Sequence, residues 1–122
     1  MAEVDILNLT QHAATAEQVA EGVVEPADKE AIQKLITFDE LPSTEEMVAR
    51  AARLADLVAK EGAEVAMIGG APFFMSTLER ALKERGVCTV YAFSRRESVD
   101  TPQPDGSVKK TQVFRHAGWV EV

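Results

Sequence analysis

The residues of this 122-residue chain whose types suit chemistry fall in three short segments. They are Thr10-Gln11-His12, Gly69-Gly70-Ala71-Pro72-Phe73 and Ser94-Arg95-Arg96-Glu97. Together they offer hydroxyls, an imidazole, backbone amides and two guanidinium groups, a set suited to holding phosphate oxygens. Arginine forks match those oxygens in geometry, and a helix N-terminus presents free N–H groups to them. A Gly-Gly pair lets the backbone turn tightly or approach a ligand closely. An imidazole can move a proton near neutral pH. Each segment also has a plainer reading. The Gly-Gly pair can be a tight strand-to-helix turn with no ligand. His12 can be a hydrogen-bonding loop residue, and Arg95 and Arg96 can pair with Glu97 and Asp100. Two distant histidines, a single cysteine and no Asp-rich calcium loop give no metal-ligand spacing, so a site without metal or cofactor is expected.

The elements around these segments decide whether they can meet. Val65 to Ile68 is an apolar run without alternation, as in a strand buried on both faces. Pro72 suits the first position of the helix that follows, which should run to about Arg85, bury Phe74, Leu78, Ala81 and Leu82, and stop at Gly86. Val4 to Leu9 reads as a first strand ending at Thr10, and Val87 to Phe93 as a third ending at Ser94. Thr15 to Gln18 is a capping-box pattern opening a short helix toward Gly22. Pro26 opens a second helical pattern, with Ala31, Ile32, Leu35 and Ile36 on one face. Phe38 to Pro42 breaks it. Ser43 to Glu46 is another capping box, starting a helix with Met47, Ala51, Leu54 and Val58 in one stripe and closing at Lys60 and Gly62. After the third strand, Ser94 to Val99 continues without a helix. Thr101 to Ser107 holds turn chemistry with a strong Asp105-Gly106 signal. Val108 to Phe114 returns as an antiparallel strand, and residues 116–120 could add an edge.

The expected fold is therefore α/β: a Rossmann-like three-layer sandwich in a single domain over 1–122, its sheet mainly parallel with a C-terminal antiparallel β-hairpin. Ligands of open α/β sheets bind outside the carboxyl ends of the strands. All three segments should then share one rim, and that convergence says more than any one of them.

Charge narrows the partners. The chain holds 13 Lys and Arg against 20 Asp and Glu, a net of −7, which argues against general binding to duplex DNA. Residues 1–78 carry a net of −9 and residues 79–122 a net of +2. An anionic ligand would have to bind locally, near Arg95, Arg96, Lys109, Lys110 or Arg115. No apolar run spans a bilayer and no signal-peptide pattern opens the chain, so a cytoplasmic protein is expected, with no membrane partner. Cys88 lies in an apolar run and reads as a small core residue.

Several of these segments together resemble a known group. Leu7 to Gln18, with His12, Thr15 and Gln18, resembles the opening strand and loop of small CRISPR-associated proteins with a CARF-type Rossmann-like fold. The runs Ser94 to Ser98, Pro104 to Lys110 and Val113 to His116 look like the C-terminal half of one stand-alone family of that kind. The resemblance covers about half the chain in three blocks. It implies a homodimer that binds a cyclic oligoadenylate, such as cyclic tetra-adenylate, across its two-fold axis. It also implies a ring nuclease that degrades this messenger of type III CRISPR signalling without metal. A ribose 2′-hydroxyl would attack the adjacent phosphate, a reaction that needs positioning and charge stabilisation. In that picture Arg95 and Arg96 stabilise the developing charge, Ser94 and Gln11 position ribose or phosphate, and His12 moves a proton. Gly69, Gly70 and Ala71 offer amides, and Thr10, Pro72, Phe73, Glu97 and Lys110 complete the ligand's surroundings. A non-catalytic dimeric sensor or sponge, a nucleotide-handling glycosidase or transferase, and an interaction protein with an inert rim are the other readings.

Overall fold

The computed structural model describes residues 5–122. Its nine elements, in chain order, are β1 (Ile6–Leu9), α1 (Ala16–Ala20), β2 (Val23–Val24), α2 (Lys29–Ile36), α3 (Thr44–Lys60), β3 (Val65–Ile68), α4 (Pro72–Glu84), β4 (Cys88–Pro102) and β5 (Val108–Glu121). The expected first strand begins at Val4, which lies outside the described residues. One mixed sheet runs in the order β2-β1-β3-β4-β5. The first four strands are mutually parallel and β5 is antiparallel to β4. The class is α/β, as the pattern of elements predicts.

Local chemistry explains most boundaries. Both capping-box bonds form at Thr15: the Gln18 N–H donates to its hydroxyl at 3.2 Å, and the Thr15 N–H donates to the Gln18 side chain at 3.0 Å. At α3 half of the expected box forms. Ser43 accepts from the Glu46 N–H at 3.1 Å, while the Glu46 carboxylate turns to Arg50 at 3.6 Å, one helical turn along. Pro26 does not open α2. Asp28 caps it by accepting from the Ala31 N–H at 3.3 Å, so the helix starts at Lys29. Pro72 stands at the first position of α4.

The sheet has two unequal faces. Leu7, Leu9, Ala66, Ile68 and Val87 join Ile32, Ile36, Leu54, Val58, Phe74, Leu78 and Leu82 in the larger core, so α2, α3 and α4 pack on one side. Side chains of opposite parity, Ile6, Val23, Met67 and Val90, form a smaller cluster with Ala14, Ala92 and Trp119. Only the five-residue α1 stands near that second face among the described helices, and none of its residues is buried.

The hairpin differs most from expectation. β4 does not stop at Phe93 but runs to Pro102, and β5 includes the tail that was to be a separate edge. Pairing with β3 ends at Val90, so from Ser94 onward β4 is paired only with β5. The result is a two-stranded arm closed by Gln103 to Ser107. Where the arm leaves the sheet the register shifts: Phe93 faces Gly118 and Ser94 faces His116, leaving Ala117 unpaired in β5. Gly118, at φ 145°, takes a conformation closed to most side chains. His116 then meets Glu21 at the end of α1, so the sheet curls until its last strand reaches the element before β2.

Candidate functional site

A pocket of about 360 Å³ opens at the carboxyl rim of the parallel strands. Thr10, Gln11 and His12 line it after β1, Gly69 and Gly70 after β3, and Tyr91 and Ala92 from β4, with Thr15 and Gln18 at the start of α1. The rim thus brings together two of the three segments singled out above. Among the described residues that line it none is acidic, in a chain with 20 Asp and Glu, and none is Lys or Arg.

The loop after β1 is built on Asn8, a polar side chain only 2% exposed in the middle of an apolar strand. Its carbonyl oxygen accepts from the Thr10 N–H at 2.9 Å and the Thr10 hydroxyl at 2.7 Å. Its amide donates to the His12 carbonyl at 2.8 Å and to the Glu25 carboxylate at 3.0 and 3.2 Å. Glu25, just past β2, also accepts from the Ala14 N–H at 3.2 Å and pairs with Lys29 at 3.3 Å. Partial burial works to raise the Glu25 pKa, but the bonds from Asn8 and Ala14 and the Lys29 charge hold it below its ordinary value. Gln33 of α2 closes the back of the loop by donating to the Thr10 carbonyl at 2.8 Å. A buried amide satisfied on all sides holds its neighbours in one arrangement.

The glycine turn completes the opposite wall. Gly70 has φ 144°, and a Cβ on Gly69 would come within 3.4 Å of the Thr10 methyl, so the two loops touch. Ala71 is the N-cap of α4 and gives no side-chain cap bond, and no acidic residue stands in the first turn. The positive end of the helix dipole is left without a countercharge of its own. Ala71, Pro72 and Phe73 adjoin the pocket without lining it. Phe73, 54% exposed, stacks edge-on against Phe38 at 5.3 Å. Tyr91 donates to Glu79 at 2.6 Å, and burial together with that carboxylate pushes its phenol above its ordinary pKa.

The third segment stands elsewhere. Ser94, Arg95, Arg96, Glu97 and Lys110 lie on the arm, and none lines the pocket. Arg95 is five residues beyond the last parallel pairing, about 16 Å along the strand at ~3.3 Å per residue. The Arg96 guanidinium sits 5.4 Å from the Phe114 ring centre, Glu97 pairs with Arg115 at 3.3 Å, and Lys110 faces Asp100. The physical reason is the continued pairing with β5, which carries β4 past the rim instead of ending there.

Asn8, Glu25, Gln33 and Tyr91 escaped sequence reasoning. Asn8 had a signal, a lone amide inside Ile-Leu-Asn-Leu; the others had none. Cys88 is half-buried and donates to Glu121 at 3.2 Å, a bond that, with burial, raises its thiol pKa and suits a structural role. A more open cavity of about 600 Å³ lies by α2 and α3. Four of its lining residues are acidic (Glu30, Asp39, Glu40 and Glu46), and its two bases, Lys34 and Arg50, are paired with Glu30 and Glu46. Its charge disfavours an anion. Among the described residues no three His, Cys, Asp or Glu stand together as a metal cluster, and no helix is long and apolar enough to cross a membrane.

The chain belongs to the Uncharacterized protein MJ1673 family, whose model matches residues 4–120. No curated protein and no solved structure matches it.

Proposed function

We propose that the rim pocket binds a nucleotide of a cyclic oligoadenylate and that two copies of the chain hold the ring between them, in the manner of a Rossmann-like CARF protein of type III CRISPR defence. One observation carries the binding half of this reading. In a strongly acidic chain, the pocket walled by the glycine turn and the Thr10 to His12 loop has no carboxylate among the described residues of its lining. Its volume lies near the lower end of the ~300–1,000 Å³ usual for small-molecule sites. That suits one nucleotide unit, so a ring would need more than one copy. The ligand's identity rests on the resemblance of residues 7–18 and 94–116.

In this reading Thr10 and Gln11 hold ribose or phosphate oxygens and the Gly69–Gly70 turn offers its amides. His12, which lines the pocket, moves a proton in this reading as the 2′-hydroxyl attacks. Arg95 and Arg96 supply charge stabilisation only if a ligand or a second copy brings them to the rim. Their position on the arm favours the second reading, a sensor or sponge that binds the ring without cutting it. Incubating excess protein with cyclic tetra-adenylate in EDTA, followed by mass spectrometry, separates the two. Linear products ending in a 2′,3′-cyclic phosphate mean a ring nuclease. Intact ring co-eluting with the protein means a sensor. Neither cleavage nor binding overturns both.

A further inference from the structure

We infer that Gln18 reads the base in the rim pocket: its side-chain amide nitrogen donates to a ring nitrogen of the adenine, over the floor made by Met67 and Ala92. The identity of that base rests on the proposed nucleotide reading, which gives Gln18 itself no task.

The capping box fixes which end of the amide is left over. The Thr15 N–H donates to the Gln18 side-chain oxygen at 3.0 Å. A backbone N–H can meet only the oxygen of an amide, so the nitrogen end is turned away from the cap. That nitrogen carries two N–H groups and has no partner among the described hydrogen bonds, although Gln18 lines the pocket. Other donors of the lining are engaged elsewhere. The Thr10 hydroxyl donates to Asn8 at 2.7 Å, the Tyr91 hydroxyl to Glu79 at 2.6 Å, and the Gln11 amide reaches Thr37 at 3.3 Å.

The cap alone does not call for glutamine. Glutamate closes a capping box equally well and adds a favourable negative charge at a helix N-terminus. The corresponding position of α3 is Glu46, and the chain holds 14 Glu against 5 Gln. At position 18 the amide supplies two things that a carboxylate would not. It donates, and it keeps the described lining free of a charge that would repel a nucleotide's phosphates. The contact uses this side chain, not the backbone end of a five-residue helix.

The surroundings of Gln18 suit a base better than a phosphate. Met67 and Ala92 line the pocket and belong to the smaller apolar cluster, together with Ala14 at the approach to α1. A flat ring lies well on such a floor. A phosphate is better served by the Gly69–Gly70 turn, beside the start of α4. On adenine the ring nitrogens N1, N3 and N7 accept and the exocyclic amine donates. An amide whose oxygen is already bonded can meet only one of the acceptors.

The test exploits the equivalence of Glu and Gln in the cap. Gln18→Glu keeps the capping oxygen and removes the donor. Val19→Glu adds the same charge one residue on, at a position 56% exposed and outside the lining. Both variants should keep the Tm of the unmodified protein. Affinity for cyclic tetra-adenylate should fall about tenfold further in Gln18→Glu than in Val19→Glu. A second arm needs no variant. Cyclic tetra-adenylates built with 1-deaza, 3-deaza or 7-deaza adenine each lack one acceptor. One of them should bind the unmodified protein about tenfold more weakly than the parent ring, and no more weakly than the parent in Gln18→Glu. Equal losses in Gln18→Glu and Val19→Glu, or deaza rings that all bind as the parent does, would overturn the inference and leave the nucleotide reading standing. An unmodified protein that does not bind cyclic tetra-adenylate overturns both.

Discussion

The imidazole of His116 meets the carboxylate of Glu21 across 95 positions of sequence, and its ring stacks edge-on against Trp119 at 4.7 Å. The His116 side chain is 6% exposed, and its second ring nitrogen is buried with no partner among the described residues. One side chain thus joins the last strand of the sheet to the first helix. His116→Ala should cost about 2–3 kcal/mol, from a hydrogen bond to a charged group and an aromatic pair. Urea unfolding measures the loss, and amide exchange should quicken from Ser94 to Pro102 before it does in β3. Equal exchange in both regions would remove the latch from His116.

Asn8 should be the least replaceable polar residue of the rim. Asn8→Leu keeps the volume but strands the His12 carbonyl, the Thr10 amide and the Glu25 carboxylate. The expected cost is about 1–3 kcal/mol by urea unfolding. Ligand binding should weaken further than that of a core variant of matched stability, such as Val58→Ala. Equal weakening in the two would leave Asn8 a structural residue only.

Glu25 gives acid stability a definite sign. Its folded pKa is depressed, so its contribution is fully present above its ordinary value of 4.5 and is lost as pH falls through the lower folded value. Glu25→Gln should lower Tm at pH 7, and the gap to the unmodified protein should close as pH drops below about 4. A gap that stays constant with pH would show that the carboxylate's charge contributes nothing.

Tyr91 is the only tyrosine in the chain, so the absorbance change near 295 nm on alkaline titration reports this phenol alone. Burial and the Glu79 contact raise its pKa, so ionisation should begin well above pH 10 and coincide with unfolding. Glu79→Gln should bring the transition down while the protein stays folded. Titration at the ordinary value in the unmodified protein would mean that Tyr91 is open to water.

Much of the scaffold could be read from the chain, because its signals are local. Thr15 with Gln18, Ser43, Pro72 and the apolar run at Val65 each act within a few residues. β2 was invisible: Val23–Val24 is too short for any periodicity and exists because Ile6 and Leu7 pair with it. Pro26 misled because the Asp28 carboxylate, two residues on, is the better cap. The arm was misjudged for a different reason. Ser94 to Asp100 carries charged residues on both faces, so alternation gives no strand signal, and only the partner strand reveals one. The rim was half legible. Gly69, Gly70 and the Thr10 loop meet as strand-end logic requires, while the arginines followed a strand that had no reason to stop.

The unpaired Ala117 marks where the arm leaves the sheet. In a regular strand residues three apart point to opposite faces, yet His116 and Trp119 share one, because the extra residue between them absorbs half a pleat. Removing Ala117 would leave His116 and Trp119 two apart and still on that face, with Ser94 opposite His116 and Phe93 opposite Gly118 as before. What would go is the local bend and added twist that a bulge gives its strand. A single methyl-bearing residue that pairs with nothing thus sets the angle at which the arm departs, and not the side on which its residues lie.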